Sequence, residues 1–337
     1  MPRSIMTKGN SISHGTQYGN FIRGNKDKLM ITYRREPSHD YTMWGVCGVL
    51  YQGEMHFFGG RNQRSTGTFI RDRRVKNYFK NDFSRQHFVI ETQSSGQLVK
   101  MTQKEELEIG FQRAYCSSLE ITSEHFPWFK TNIVILCFDK LHQKSCYSFD
   151  GELTYIGDSN YHHSRGGLTK YKTNLLAVGG YKANQKTEIM KIDAHKTFSW
   201  SIVEPDFKFT RAKCIFGHSL VTVESSDNNE EYVLLIGGHI GRTRILKNVF
   251  KFNGTWFPFG EMMKTRAGHT SIYWNGAVYI IGGYSAHSML KTTKTKTEIW
   301  NIRDSPNHFK TTENWPELFD WVLPHLFIVP DSFFPDN

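Results

Sequence analysis

The 337 residues suffice for one large β domain or two smaller ones, and a 14% share of aromatic residues favours strands over helices. A formal net charge of +10 suits an anionic partner (nucleic acid, a membrane surface or an acidic protein) and equally suits solubility alone. No run approaches the ~20 apolar residues of a membrane-spanning helix, and the amino terminus lacks an apolar core of signal-peptide length. Five scattered cysteines without a CxxC pair read as reduced thiols, so the expected location is cytoplasmic, although Cys137 and Cys146 could face each other across a hairpin. Asn253-Gly254-Thr255 is a formal glycosylation sequon.

Residues 1–20 are polar and rich in Ser, Gly and Asn, and are expected to be poorly ordered; a single domain over 21–337 follows. Lys28–Arg34 reads as an isolated strand with no hairpin partner nearby. Trp44–Gly60 reads as strand, Gln52-Gly53 turn, apolar strand, then Gly59-Gly60. Past the basic segment Arg61–Arg85, strands are expected near His87–Thr92 and Leu98–Thr102. A second unit is degenerate: Tyr115–Thr122 and Asn132–Phe138 read as inner strands, with Cys137-Phe138 in place of a glycine pair, and Ser145–Phe149 and Leu153–Ile156 as outer ones. In the third, His163 leads into a hairpin closed by Asn174–Gly180, Glu188–Ile192 is the third strand and Trp200 lies on the fourth. The fourth runs through Arg211-Ala212, His218, Val233–Gly238, Asn248–Phe252 and Trp256.

The fifth unit is the clearest. Ser271–Trp274, the Asn275-Gly276 turn, the apolar run Ala277–Ile281 and Gly282-Gly283 make a hairpin, continued by Glu298–Ile302. Asn-Gly tolerates the positive φ of a two-residue turn, and a short apolar run without alternation suits a strand buried on both faces. Leu323–Phe334 resembles one more inner strand, with Val329-Pro330 at the glycine position. From Gly180 the glycine-pair ends are spaced by 58, 45 and about 47 residues, in the range of a four-stranded propeller blade.

These features resemble the kelch-repeat β-propellers, whose signature is a glycine pair after an apolar strand, an aromatic near the third strand and a tryptophan shortly after. Gly237-Gly238, Phe250 and Trp256 carry it, as do Gly179-Gly180 with Trp200. Gly282-Gly283 with Trp300 is partial, and Gly59-Gly60 has Phe111 where the tryptophan should be. The resemblance covers roughly residues 41–330. It implies an all-β, six-bladed propeller, with Lys28–Arg34 pairing with the carboxy-terminal strands to close the ring and remove free edges.

The same resemblance admits copper radical oxidases, but their ligand set comes partly from an additional carboxy-terminal domain that does not show here. No BTB or F-box pattern precedes the repeats. No GxSxG, phosphate loop, HExxH or CxxC occurs. His163, His218 and His269, at matching places before inner strands, read as ties between blades rather than metal ligands. The expectation is therefore no catalytic residue, no metal and no cofactor. The preferred reading is a monomeric, non-enzymatic scaffold for an acidic protein or peptide. The alternatives are an enzyme with an axial pocket, and an anion or nucleic-acid binder through the basic loop 61–85, where aromatics interleave with arginines.

Loops following the glycine pairs should share one face with the links between blades. That expectation gathers Arg61, Arg64, Arg71, Arg73, Arg74, Arg242, Arg244, Lys291, Lys294 and Lys296 around the mouth of the channel, with His239 and Tyr284 nearer the axis. Arginine suits carboxylates through its bidentate fork.

Overall fold

The computed structural model describes residues 4–5, 17–23, 27–34, 42–44, 47–59, 61–63, 87–92, 98–104 and 107. From 117 to 330 it describes all but 123, 125, 127–128, 139–141, 182–184, 194–196, 205–206, 210, 212–213, 226–229, 242–243, 286–296, 307 and 312–324. Among these residues there is no helix. The chain opens with β1 (Ser4–Ile5), β2 (Gln17–Arg23) and β3 (Asp27–Arg34), so part of the stretch expected to be poorly ordered lies in strands. After β4 (Thr42–Trp44) come β5 (Cys47–Tyr51), β6 (Glu54–Phe58), β7 (Arg61–Gln63), β8 (His87–Thr92) and β9 (Leu98–Gln103). β5-β6-β8-β9 form a first antiparallel sheet, while β7 pairs back to β4.

The second sheet is β10 (Ser117–Ile121), β11 (Ile133–Cys137), β12 (Ser145–Phe149) and β13 (Leu153–Asp158). The third is β14 (Gly167–Tyr171), β15 (Asn174–Val178), β16 (Thr187–Ile192) and β17 (Phe198–Ile202). Next, β18 (Ile215–Phe216), β21 (His239–Ile240) and β22 (Arg244–Ile245) make a small sheet of their own. Around them β19 (Ser219–Ser225), β20 (Glu230–Ile236), β23 (Asn248–Phe252) and β24 (Trp256–Glu261) build the fourth sheet. The fifth is β25 (Ala267–Trp274), β26 (Ala277–Tyr284), β27 (Glu298–Asn301) and β28 (Lys310–Thr311). β29 (His325–Pro330) pairs antiparallel with β3, Phe327 opposite Met30, in a sixth sheet ordered β1-β2-β3-β29.

The leading strands touch in succession: β5 meets β10, then β14, β19, β25 and β29, and β29 meets β5. Two expected turns form as read. Gln52 and Gly53 (φ 51° and 80°) and Asn275 and Gly276 (49° and 74°) take positive φ at both central positions, which matches the twist of the strands they join.

The apolar second strands explain the core. Alternate side chains of a strand point to opposite faces, and here both faces are covered by a neighbouring sheet. Leu175 and Ala177 pack with Ile133 and Ile135 of the second sheet, whereas Leu176 and Val178 pack with Val233 and Leu235 of the fourth. Leu234 and Ile236 in turn meet Val278 and Ile280 of the fifth. The period of two thus survives as an alternation of destination, not of polarity. The tryptophans fill the seams as the motif implies. Trp256, on the fourth strand of its sheet, packs on Phe209 and Phe252 and donates its indole N–H to Thr187 at 2.8 Å. Trp300 reaches the next seam from a third strand, against Phe259.

Candidate functional site

The register aligns the entries to the third, fourth and fifth sheets. Gly167, Ser219 and Thr270 each face the residue that precedes a glycine pair, namely Val178, Ile236 and Ile281. One residue earlier stand Gly166, His218 and His269; three residues before those stand His163, Ile215 and Arg266. The expected equivalence of three histidines is therefore corrected: His218 matches His269, but His163 matches Arg266.

The geometry of the two anchors agrees. The His163 ring donates from Nδ1 to the Gly179 carbonyl at 2.7 Å and from Nε2 to Glu188 at 2.8 Å. Arg266 likewise donates to the Gly282 carbonyl at 2.8 Å and to Glu298 at 2.9 Å. All four side chains are buried. Each glutamate also holds the preceding link: Glu188 accepts from the Asn160 and Tyr161 N–H groups, and Glu298 from that of Met263. Burial pushes the Glu188 carboxyl up, but the bonds from His163, Asn160 and Tyr161 outweigh it and hold it below the usual value. These histidine bonds lie within one sheet and are not ties between sheets.

The ties between sheets come from the backbone. In the third and fourth sheets the second glycine of the pair donates to the next sheet's anchor carbonyl, Gly180 to Ile215 at 2.7 Å and Gly238 to Arg266 at 2.8 Å. Gly217 donates to Arg165 and Gly268 to Gly217, both at 2.8 Å, so a chain of amides crosses two seams. At such a close approach a side chain has no room: a Cβ on Gly237 would lie 2.5 Å from the Arg266 oxygen, and its φ of 59° is already left-handed. In the second sheet Phe138 takes this conformation, with φ 64°. It is therefore Phe138, one residue later than expected, that stands at the first glycine's place. His218 and His269 wedge against the glycines. Burial, reinforced by His163, pushes His218 down to about 3, and the Val178 backbone opposes this only in part. Burial, Arg266 and His218 push His269 well down.

Above these seams lies a rim the sequence reading only half anticipated. Tyr181, His239 and Tyr284 each follow directly on a glycine pair. Tyr181 packs edge-on against Phe216 at 5.3 Å, Phe216 stacks on His239 at 5.0 Å, and His239 shares a 2.6 Å hydrogen bond with the Tyr284 hydroxyl. The Arg165 guanidinium lies 4.8 Å from the Tyr181 ring centre and 5.9 Å from that of Phe216. Arg165 takes φ 65° where Gly217 and Gly268 take 62° at the equivalent positions, so a side chain occupies a backbone position suited to glycine. Tyr181 is 43% exposed and Arg244, on β22, is exposed.

Two of the links meet loops that follow glycine pairs. β18, a link, pairs with β21, a post-glycine loop, and β4 does the same with β7. Of the expected contact residues the structure brings His239 and Tyr284 together and leaves Arg244 on the surface beside them. Arg61 is placed by its backbone only, opposite Trp44. Arg64, Arg71, Arg73, Arg74, Arg242, Lys291, Lys294 and Lys296, like Gly60 among the glycines, lie outside the described residues. Arg165, Tyr181 and Phe216 were missed, although for Tyr181 the aromatic or histidine after three of the four glycine pairs was a readable signal.

Elsewhere, His56 and His87 share a ring–ring hydrogen bond of 2.9 Å in the first sheet. Burial, aided by Lys104 and, for His56, first by His87, pushes both down to about 4. Among the described residues no group of three or more His, Cys, Asp or Glu side chains converges as a metal site would require. Cys137 and Cys146, directly paired across β11 and β12, form a disulfide, and Cys47 is also disulfide-bonded; only Cys214 is free among the described cysteines. The reading of reduced thiols therefore fails for these three.

No protein-family model matches the chain, and no curated protein matches it. It is similar to solved structures. One, titled "Structure of YjhT", superposes with a TM-score of 0.58 at 13% identity, covering 93% of this chain and 97% of that one. The likeness concerns the fold alone: an all-β chain of four-stranded antiparallel sheets, consistent with a propeller.

Proposed function

We propose that the chain is a six-bladed, kelch-type β-propeller, closed where β29 joins β3, and that it works as a non-enzymatic scaffold binding an acidic protein or peptide on its rim face. The ring of contacts between leading strands and the β29–β3 pairing support the architecture. The rim carries the functional reading. Three consecutive sheets contribute one run of packed rings, Tyr181–Phe216–His239–Tyr284, exposed at Tyr181, half-buried at His239 and buried at Phe216 and Tyr284, with Arg165 laid over the exposed end and Arg244 near the other. Rigid aromatics beside arginine forks are the side chains that dominate binding surfaces, and a guanidinium fixed over a ring is oriented in advance for a carboxylate. The net charge of +10 favours an acidic partner in approach as well as in contact.

The disulfides at Cys137–Cys146 and at Cys47 suit an oxidising compartment better than the cytoplasm. The test of function is titration with acidic and charge-matched neutral peptide pools at two salt concentrations. Acid-rich peptides should bind, more weakly at high salt, and Arg165→Ala with Arg244→Ala should weaken binding by ~10-fold or more. Equal binding of neutral and acidic pools, or no effect of the double substitution, defeats the reading.

A further inference from the structure

A sheet edge exposes unpaired N–H and C=O groups that attract another strand, and proteins blunt such edges with short strands, charges, proline or bulges. The outermost strand of each four-stranded sheet can be checked for these devices. β1 and β28 are two residues long. β9 carries Lys100, and its pairing is bulged at Glu91/Thr92. β13 is bulged opposite Cys146/Tyr147 and ends in Asp158. β24 is bulged, contains Pro258 and ends in Glu261. Among the described outer strands only β17 has none: Phe-Ser-Trp-Ser-Ile pairs with β16 without a register shift and holds no charge and no proline.

The ladder fixes which groups are open. Asp193 donates to Thr197, and Val203 donates to Thr187, at the two ends of the β16–β17 pair. Bonded and open residues alternate along an antiparallel strand, so Phe198, Trp200 and Ile202 direct their N–H and C=O groups outward. The sequence reads nearly the same in both directions about Trp200. We propose that β17 is a self-pairing edge, and that its occupant is the same strand of a second copy of this chain, antiparallel, about a two-fold axis at Trp200.

In that register every outward-facing residue meets an outward-facing one. Trp200 lies opposite the partner's Trp200, Phe198 opposite the partner's Ile202, and Ser199 opposite the partner's Ser201. Like meets like, as a two-fold interface requires, and about six backbone hydrogen bonds form. Beside the edge lies an open cleft of about 630 Å³ between the second and third sheets, lined by Phe198 and by Tyr155. Tyr155 is 56% exposed and Ile202 37% exposed, two of the few large apolar side chains left in solvent among the described residues. The partner's Ile202 would arrive beside Phe198, at that cleft. A joint of one strand on each side is small, so the dimer belongs in the micromolar range.

The experiment is sedimentation equilibrium of the full chain over a dilution series reaching high micromolar, with two variants. Ile202→Pro removes an outward N–H while sparing the β16 ladder. The double Ser199→Lys/Ser201→Lys sets lysine against lysine across the joint. Wild type should approach twice 39.2 kDa, and both variants should raise the dissociation constant by ~10-fold or more with unchanged circular dichroism. A wild type that stays monomeric, a dimer indifferent to both variants, open-ended growth, or a monomer that instead takes up an unrelated strand-forming peptide each overturns the proposal.

Discussion

The third and fifth sheets hold their entry loops in one geometry with different chemistry. His163–Glu188 and Arg266–Glu298 occupy the same two places, donate to the same glycine carbonyl, and tie down the preceding link through the glutamate. The fourth sheet, between them, fills those places with Ile215 and Phe250, both buried in an apolar seam. One scaffold thus accepts an ionic and an apolar solution at the same site. Buried ion pairs gain little over well-packed apolar residues, because desolvation offsets the attraction, yet a half-removed pair is costly.

That contrast can be broken directly. Glu298→Ala alone strands Arg266 and the Met263 N–H and should destabilise by ~3–5 kcal/mol. The double change Arg266→Ile/Glu298→Phe, which copies the fourth sheet, should recover most of this, with a coupling above ~2 kcal/mol in a double-mutant cycle of chemical denaturation. Additive losses would mean that the two solutions are not interchangeable. Gly237→Ala tests the place where the anchor carbonyl meets the neighbouring sheet. The added Cβ crowds the Arg266 oxygen, and the loss should be ~2–4 kcal/mol by the same assay.

Four buried histidines set an acid limit. His56, His87, His218 and His269 are all held neutral below the ordinary 6.5. The unfolded chain then binds more protons than the fold, so stability is full above about 6.5 and is lost as pH falls toward 3–4. Melting temperature should drop by several degrees or more between pH 7 and 5. A flat profile would show that these rings do not charge on unfolding.

What the sequence disclosed, and what it did not, follows from how local each feature is. Turns, apolar second strands and glycine pairs are set by neighbours in sequence, and they were readable, as was the strand at Lys28–Arg34 that meets β29. The anchor register was not. His163 looks like His218 because both precede a strand, and only cross-strand pairing shows the offset of three residues. That Cys137 and Cys146 face each other across a hairpin was readable; that they form a bridge was not. The rim was half readable: His239 and Tyr284 followed from the glycine pairs, whereas Arg165 and Phe216 lie on links, which lack a periodic signal.

Arg165 gives the smallest expected effect on stability and the sharpest separation of fold from function. Its φ of 65° stands where the fourth and fifth sheets place Gly217 and Gly268. A non-glycine residue held there costs ~1–2 kcal/mol and persists only when something else selects it. Its carbonyl serves the amide chain through Gly217, which any residue can do. Its side chain lies over Tyr181 and Phe216 at the rim, which glycine cannot do. Arg165→Gly should therefore relax the backbone while forfeiting the ring contacts, leaving stability within ~1 kcal/mol of wild type. The same change should weaken acidic-peptide binding as much as Arg165→Ala does. If instead Arg165→Gly unfolds the protein as readily as Glu298→Ala, the arginine is there to hold the seam, and the rim loses the cation over its Tyr181 end.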